Sequence, residues 1–352
     1  MSTPTSSIPT LDSADASASR SVFRLVVLGG GEAGLALLNA LDQAGLAAEA
    51  AMIDPSPYHY DQPAWMRVGT EGLDKEQTRS ATEAEIPSGT TWIQEPATAI
   101  APTDQVVTVE SGTLIHYDYL VVALGTHVHW DRVRGLSDTL GTHGICSVYG
   151  YDQSEAAWDM IRSFGGGRAL FTAPSTPHKG GPAPLTILQR AEALWRENGV
   201  FDQTELFFVT AASPAFAGPA YAEMLEREKQ EENVHVYADH DLVEVRPERH
   251  EAVFVVDKGA SQSKSVLPYD LLHVVPPMRP PALLEESELA LQTGPLRGYL
   301  DVDPDTLQHR RFDTIFGVGD ANGMGGVKTG ARARQQATEV ADRLNDLLQP
   351  GD

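Results

Sequence analysis

Gly29, Gly31 and Gly34 are spaced as G-x-G-x-x-G, directly after the apolar run FRLVVL and at the opening of a stretch that carries Leu35, Leu38 and Leu41 on one helical face. Strand, glycine turn and helix in that order suit a pyrophosphate. The first glycine makes the tight turn, the second leaves room for phosphates, and the third lets the helix pack on the strand. Glu32 and Ala33 complete the turn. The free amides and positive end of the helix then face the anion. Asp54, beside Pro55, closes the next apolar strand (48–54), where a carboxylate can accept hydrogen bonds from a ribose.

Two further segments refine the ligand. FDTIFGVGD (312–320) places Gly319 and Asp320 after a late strand and before a helix, and ALGT (123–126) supplies Gly125 and Thr126. These resemble the second and middle fingerprints of FAD-dependent reductases, in which the acidic residue holds the ribitol chain. The resemblance implies FAD. A second α/β region offers no matching loop. Gly165, Gly166 and Gly167 precede a strand, and the turn after it, PSTPHKGGPAP, carries prolines that lack amide donors. NAD(P)H is therefore not the expected electron donor.

Composition narrows the setting. Acidic residues number 49 against 26 basic ones, a net charge of −23 in 352 residues, so neither nucleic acid nor an anionic membrane is an expected partner. A single cysteine, Cys146, excludes a disulfide, a thiolate zinc site and an iron–sulfur cluster within the chain. No run reaches the ~18 apolar residues that span a bilayer, and the N-terminus lacks the basic start and apolar core of a secretory signal. The expectation is a soluble, cytoplasmic protein without stable membrane association.

The fold expected is α/β, with two Rossmann-like domains. A tail covers 1–20, the FAD domain is discontinuous over 21–145 and 286–348, and the second domain covers 146–285. Strands are expected at 105–110, 113–118, 119–125, 168–174, 205–210, 234–238, 251–256 and 271–277. Helices are expected around 184–198 and 219–231, with a closing helix from Thr329 to Leu348.

Together VVLGGGEAG (26–34), IDPSPYHYDQPAW (53–65), FTAPSTPHKGGPAP (171–184), EVRPERHEAVF (244–254), LLHVVPPMRPP (271–281) and LQHRRFDTIFGVGD (307–320) resemble sulfide:quinone oxidoreductase, in particular its mitochondrial-type branch. The resemblance implies FAD, two-electron chemistry and, in that family, two cysteines that form a redox disulfide beside the flavin. Here their positions fall on Gly180 and Ala321. Cys146 matches an accessory cysteine and reads as a small buried hydrophobe. The membrane-docking extension of family members has no counterpart before Asp352, so the expected acceptor is not membrane quinone.

Lys328 and Thr329 match the family's Lys-Thr segment, which implies an ammonium near the pyrimidine end of the flavin. His178 and Lys179, beside Gly180, are candidates for the substrate side, with His178 able to move protons near neutral pH. Tyr58, His59, Tyr60 and Trp65 are either cavity lining or packing. His127 and His129 alternate as strand neighbours, but no third ligand accompanies them, and no metal is expected. The resulting expectation is an FAD-dependent oxidoreductase that transfers electrons directly between a small-molecule substrate and FAD. An FAD-retaining enzyme with a non-redox reaction and a flavin-binding sensor stay open as alternatives, as does a homodimer.

Overall fold

The computed structural model describes residues 20–212, 219–230, 233–257 and 261–348. The tail expected over 1–20 lies outside these residues up to 19, and Arg20 already belongs to strand β1 (Arg20–Leu28).

β1 is the spine of a seven-stranded sheet. It pairs in parallel with β2 (Ala50–Ile53) on one side and β8 (Leu114–Val122) on the other. β5 (Thr91–Ile93) extends the sheet beyond β2. On the far side, β7 (Val106–Val109) and β6 (Ala97–Ala101) add antiparallel strands, while β19 (Ile315–Gly317) pairs with the upper half of β8. Successive residues of β1 feed opposite cores, because side chains alternate across a strand. Leu25 and Val27 pack beneath α1 (Glu32–Gln43) and α6 (Gly330–Leu348), whereas Val26 and Leu28 pack against Leu284, Leu289 and Leu300. Burial on both faces explains the continuous apolar run.

The second sheet is parallel, in the order β10 (Ile145–Cys146), β17 (Leu271–His273), β11 (Gly167–Ala173), β12 (Thr204–Thr210) and β13 (Val234–Ala238). Helices α3 (Tyr151–Ser163), α4 (Ala183–Glu197) and α5 (Pro219–Glu228) accompany it, with Trp195 of α4 buried against Phe171. On the other face lies an antiparallel sheet of β14 (His240–Arg246), β15 (Glu251–Asp257) and β16 (Gln262–Pro268). Of these, β14 and β16 lie outside the expected strands: QSKSVLP is polar, and in HDLVEVR the adjacent Leu242 and Val243 break the alternation where the register shifts between Leu242 and Glu244. Two expected strands, 113–118 and 119–125, prove to be one. No turn residue separates Asp118 from Tyr119, and β8 runs through on the continuous support of β1.

Two short pairs tie loops to this frame: β3 (Tyr58–Tyr60) with β4 (Arg79–Ala81), and β9 (His127–Val128) with β18 (Met278–Arg279). The domains meet where α2 (Trp65–Glu71) lies on α3, so closely that a Cβ on Gly69 would sit 2.3 Å from Val148. Lys75 spans the joint to Asp152 at 3.1 Å and Glu155 at 2.6 Å.

Candidate functional site

The three glycines of the first turn do separate work. Gly29 has φ +112°, and a Cβ there would lie 2.5 Å from the Ala123 carbonyl oxygen. Gly34 comes so near the loop that a Cβ would stand 1.9 Å from the Gly29 oxygen. Gly31, by contrast, faces open space within 4 Å, and no side chain caps the start of α1. Free first-turn amides above an unfilled approach form a cradle for a pyrophosphate. Asp54 anchors its rim: one carboxylate oxygen accepts the Gly30 N–H at 2.6 Å and the other the Ser56 N–H at 2.8 Å. Glu32 is ion-paired with Arg334 of α6, which links the N-terminal turns of the two helices.

The late turn is set by a residue that the sequence reading did not single out. Gln336 of α6 is buried, and its side-chain oxygen accepts the Gly319 N–H and the Asn322 amide, both at 2.9 Å. Gly319, with φ +74°, packs so near Ala33 that a Cβ would fall 2.9 Å from it. Asp320 is thereby held between the two glycine turns. Gly125, with φ +64°, faces open space, and Thr126 beside it is buried. These features fit the dinucleotide and ribitol portions of FAD.

Two lysines meet beside the late turn. Lys328 is 5% exposed, donates to the Asn322 carbonyl at 2.6 Å and lies 5.0 Å from the Tyr299 ring centre. Burial pushes its pKa down to about 8, against the opposing pull of Asp320. Lys179 lies beside it: the two residues form a parallel bridge, and the Gly180 N–H donates to the Lys328 carbonyl at 2.7 Å. The Lys179 ammonium donates to Gln62 Oε1 at 2.6 Å. Burial lowers its pKa too, again opposed by Asp320. Gln62 comes from the YHYDQPAW run, and nothing local in the sequence marked it as a partner 117 residues away.

His178 is turned the other way. Its ring is 2% exposed and its nitrogens face the carbonyls of Thr176 and Gly181, at 3.4 and 3.2 Å. Burial lowers its pKa, and a neutral ring can donate to only one of these two carbonyls; its 2% exposure, with both nitrogens turned into its own loop, points it away from a substrate. The aromatic run packs at the domain joint: Tyr60 lies 5.1 Å from Tyr151 and 6.0 Å from Trp65, with the Arg79 guanidinium 4.7 Å from Tyr58. His129 faces Asp131 at 3.8 Å, while the charge of Lys179 acts on His127. Among the described residues no three metal-ligating side chains converge.

Gly180 and Ala321, the positions where the resemblance places the family's cysteines, carry no thiol in this chain. Gly180 has φ +88° and would bring a Cβ within 2.8 Å of Ala183; Ala321 is fully buried. Cys146 is buried on β10, and burial pushes its thiol up to about 12, which leaves it inert at neutral pH.

Residues 23–157 match the family model for pyridine nucleotide-disulphide oxidoreductases. The chain is 35% identical over 327 residues to the mitochondrial sulfide:quinone oxidoreductase of Dictyostelium discoideum, covering 92% of this chain and 71% of that protein. To the mouse protein of the same name it is 34% identical, covering 93% and 71%. The solved sulfide:quinone oxidoreductase of Aquifex aeolicus superposes with a TM-score of 0.73 at 20% identity, over 94% of this chain and 77% of that one, and thus shares the fold. Among the described residues no helix is long and apolar enough to cross a membrane. The cradle and these relatives agree: the chain belongs to the sulfide:quinone oxidoreductase family and is an oxidoreductase with FAD as its cofactor.

Proposed function

We propose that this protein moves electrons directly between a small substrate and FAD, without the two-cysteine relay that the resemblance assigns to its family. Bound FAD supplies two-electron acceptance and release. The amides of the first glycine turn bind its pyrophosphate, Glu32, Ala33 and Pro55 border that turn, and Asp54 is the ribose acceptor. Asp320, steadied by Gln336, receives the ribitol hydroxyls, with Gly125, Thr126 and Gly319 at the approach. Lys328, next to Thr329, offers positive charge to the flavin's pyrimidine end, where it would stabilise the negative charge that reduction places there. His178 holds the substrate-side loop in shape and Lys179 faces the substrate.

The observation that carries this reading is the backbone at Gly180. A left-handed glycine tied to the Lys328 carbonyl occupies the place of the first thiol, so the substrate meets the ring with no sulfur between them. The net charge of −23 supports a soluble acceptor over one held in an anionic membrane. Anaerobic mixing of the purified, flavin-loaded protein with a panel of small reductants tests the proposal. Bleaching of the flavin bands is expected with at least one donor, at equal rate in Cys146→Ser. A flavin that never bleaches, or bleaches only when Cys146 is present, refutes direct transfer.

A further inference from the structure

We propose that the substrate side of this site binds a small monocarboxylate, with the Lys179 ammonium as its anchor; this names the substrate class of the direct-transfer reading and rests on it. The chain has six lysines in 352 residues and a net charge of −23, yet two of the six, Lys179 and Lys328, meet at one place. Among the described residues the opposing charge that acts on both is Asp320 alone. Arg279, on the neighbouring strand β18, is already ion-paired with Glu285. His127 stands across from Lys179 as an imidazole whose pKa burial lowers, so it is neutral at pH 7. The site therefore carries positive excess inside an acidic molecule, which concentrates anions.

Lys328 donates to a backbone carbonyl that is fixed in place. Lys179 differs: its partner is the side-chain oxygen of Gln62, which is neutral and free to rotate away. A partly buried ammonium with only an amide for company gains from a negative partner, because charge-assisted bonds are roughly twice as strong as neutral ones. The one guanidinium whose charge acts on Lys328, Arg332, is turned to the Gly325 and Val327 carbonyls, so among the described residues Lys179 offers a single ammonium. That suits a single carboxylate better than a dianionic phosphate, which guanidinium groups grip bidentately. The thiols are absent at Gly180 and Ala321, so an organic ligand can lie beside the ring without meeting a nucleophile.

Titration of the flavin-loaded protein with benzoate and with its neutral analogue benzamide, read as a perturbation of the visible flavin spectrum, tests the assignment. Benzoate should give a saturable change and benzamide none. Lys179→Gln should weaken benzoate about ten- to hundredfold, and Lys179→Arg, which keeps the charge, should bind at least tenfold better than Lys179→Gln. Gln62→Leu should tighten benzoate, since the ammonium loses its internal acceptor. The flavin content of each variant, taken from the same spectra, reports whether it folded. Equal binding of benzoate and benzamide, benzoate binding indifferent to Lys179→Gln, no tightening in Gln62→Leu, or a response to hydrosulfide but not benzoate overturns the inference. Flavin retained without any benzoate response sinks the carboxylate and leaves direct transfer standing. Protein that takes up no flavin sinks the direct-transfer reading itself.

Discussion

The turn after β1 and the turn after β11 occupy equivalent places in two Rossmann-like units and do opposite things. After β1 the chain needs only Gly29, Gly30 and Gly31 to enter α1, and it leaves the helix amides bare in front of open space. After β11 it wanders through residues 174–182, where the His178 ring fills the loop from within and Pro182 and Pro184 delete donors at the start of α4. Anion binding is thus not a property of the unit. It depends on whether the first-turn amides are present and unshielded. The fold accommodates one open turn and one closed turn, and in the function proposed above the closed one borders the substrate.

The sharpest way to break this contrast is to fill the first turn. Gly34→Leu drives a side chain into the Gly29 carbonyl, and we expect a colourless protein destabilised by more than about 3 kcal/mol. Gly180→Ala in the second turn should cost about 1–2 kcal/mol, from the left-handed backbone and Ala183, and keep its flavin absorbance. Equal flavin loss in both would erase the distinction.

Lys328 sits where the two turns converge. Its pKa falls from 10.5 to about 8 on burial, so between those values the unfolded chain holds a proton that the folded one has released. Stability should therefore rise from pH 8 to pH 10.5, by about 3 kcal/mol at most. Urea unfolding of Lys328→Met, set beside the parent protein, should show a smaller rise, with Lys179 keeping its own share; parallel curves would show the Lys328 ammonium is not desolvated.

A smaller loss, about 2 kcal/mol, is expected for Gln336→Leu, which orphans the Gly319 N–H and the Asn322 amide. Flavin affinity should fall with it if this glutamine positions Asp320. Smallest is Cys146→Ser, about 1 kcal/mol for a hydroxyl with no partner in an apolar site. The native thiol should resist iodoacetamide at pH 8 and react only in urea. Rapid labelling of folded protein would show the thiol to be accessible.

Much of the cradle was legible because its requirements are local. Turn, open approach and close packing are each met by a named residue within Gly29–Gly34, and Asp54 follows at the end of the next strand. The substrate side was harder to read. His178 and Lys179 are adjacent, and the sequence offered no reason to separate them, yet in this loop one ring turns inward to its own carbonyls while the next side chain reaches across to Gln62. Strands β14 and β16, which flank β15 on either side, escaped because edge strands carry charge and polarity that mask alternation.

By itself the sequence determined the nucleotide turn, the two-sheet architecture and the absence of paired thiols, since each depends on residue type at fixed spacing along the chain. Only the tertiary structure decided that Lys179 and Lys328 meet, that Gln336 ties Gly319 to Asn322 on either side of Asp320 and that Cys146 is buried. Those facts arise from side chains brought together across more than ten residues of intervening chain, and from burial, which sets a group's charge by the surroundings that folding gives it.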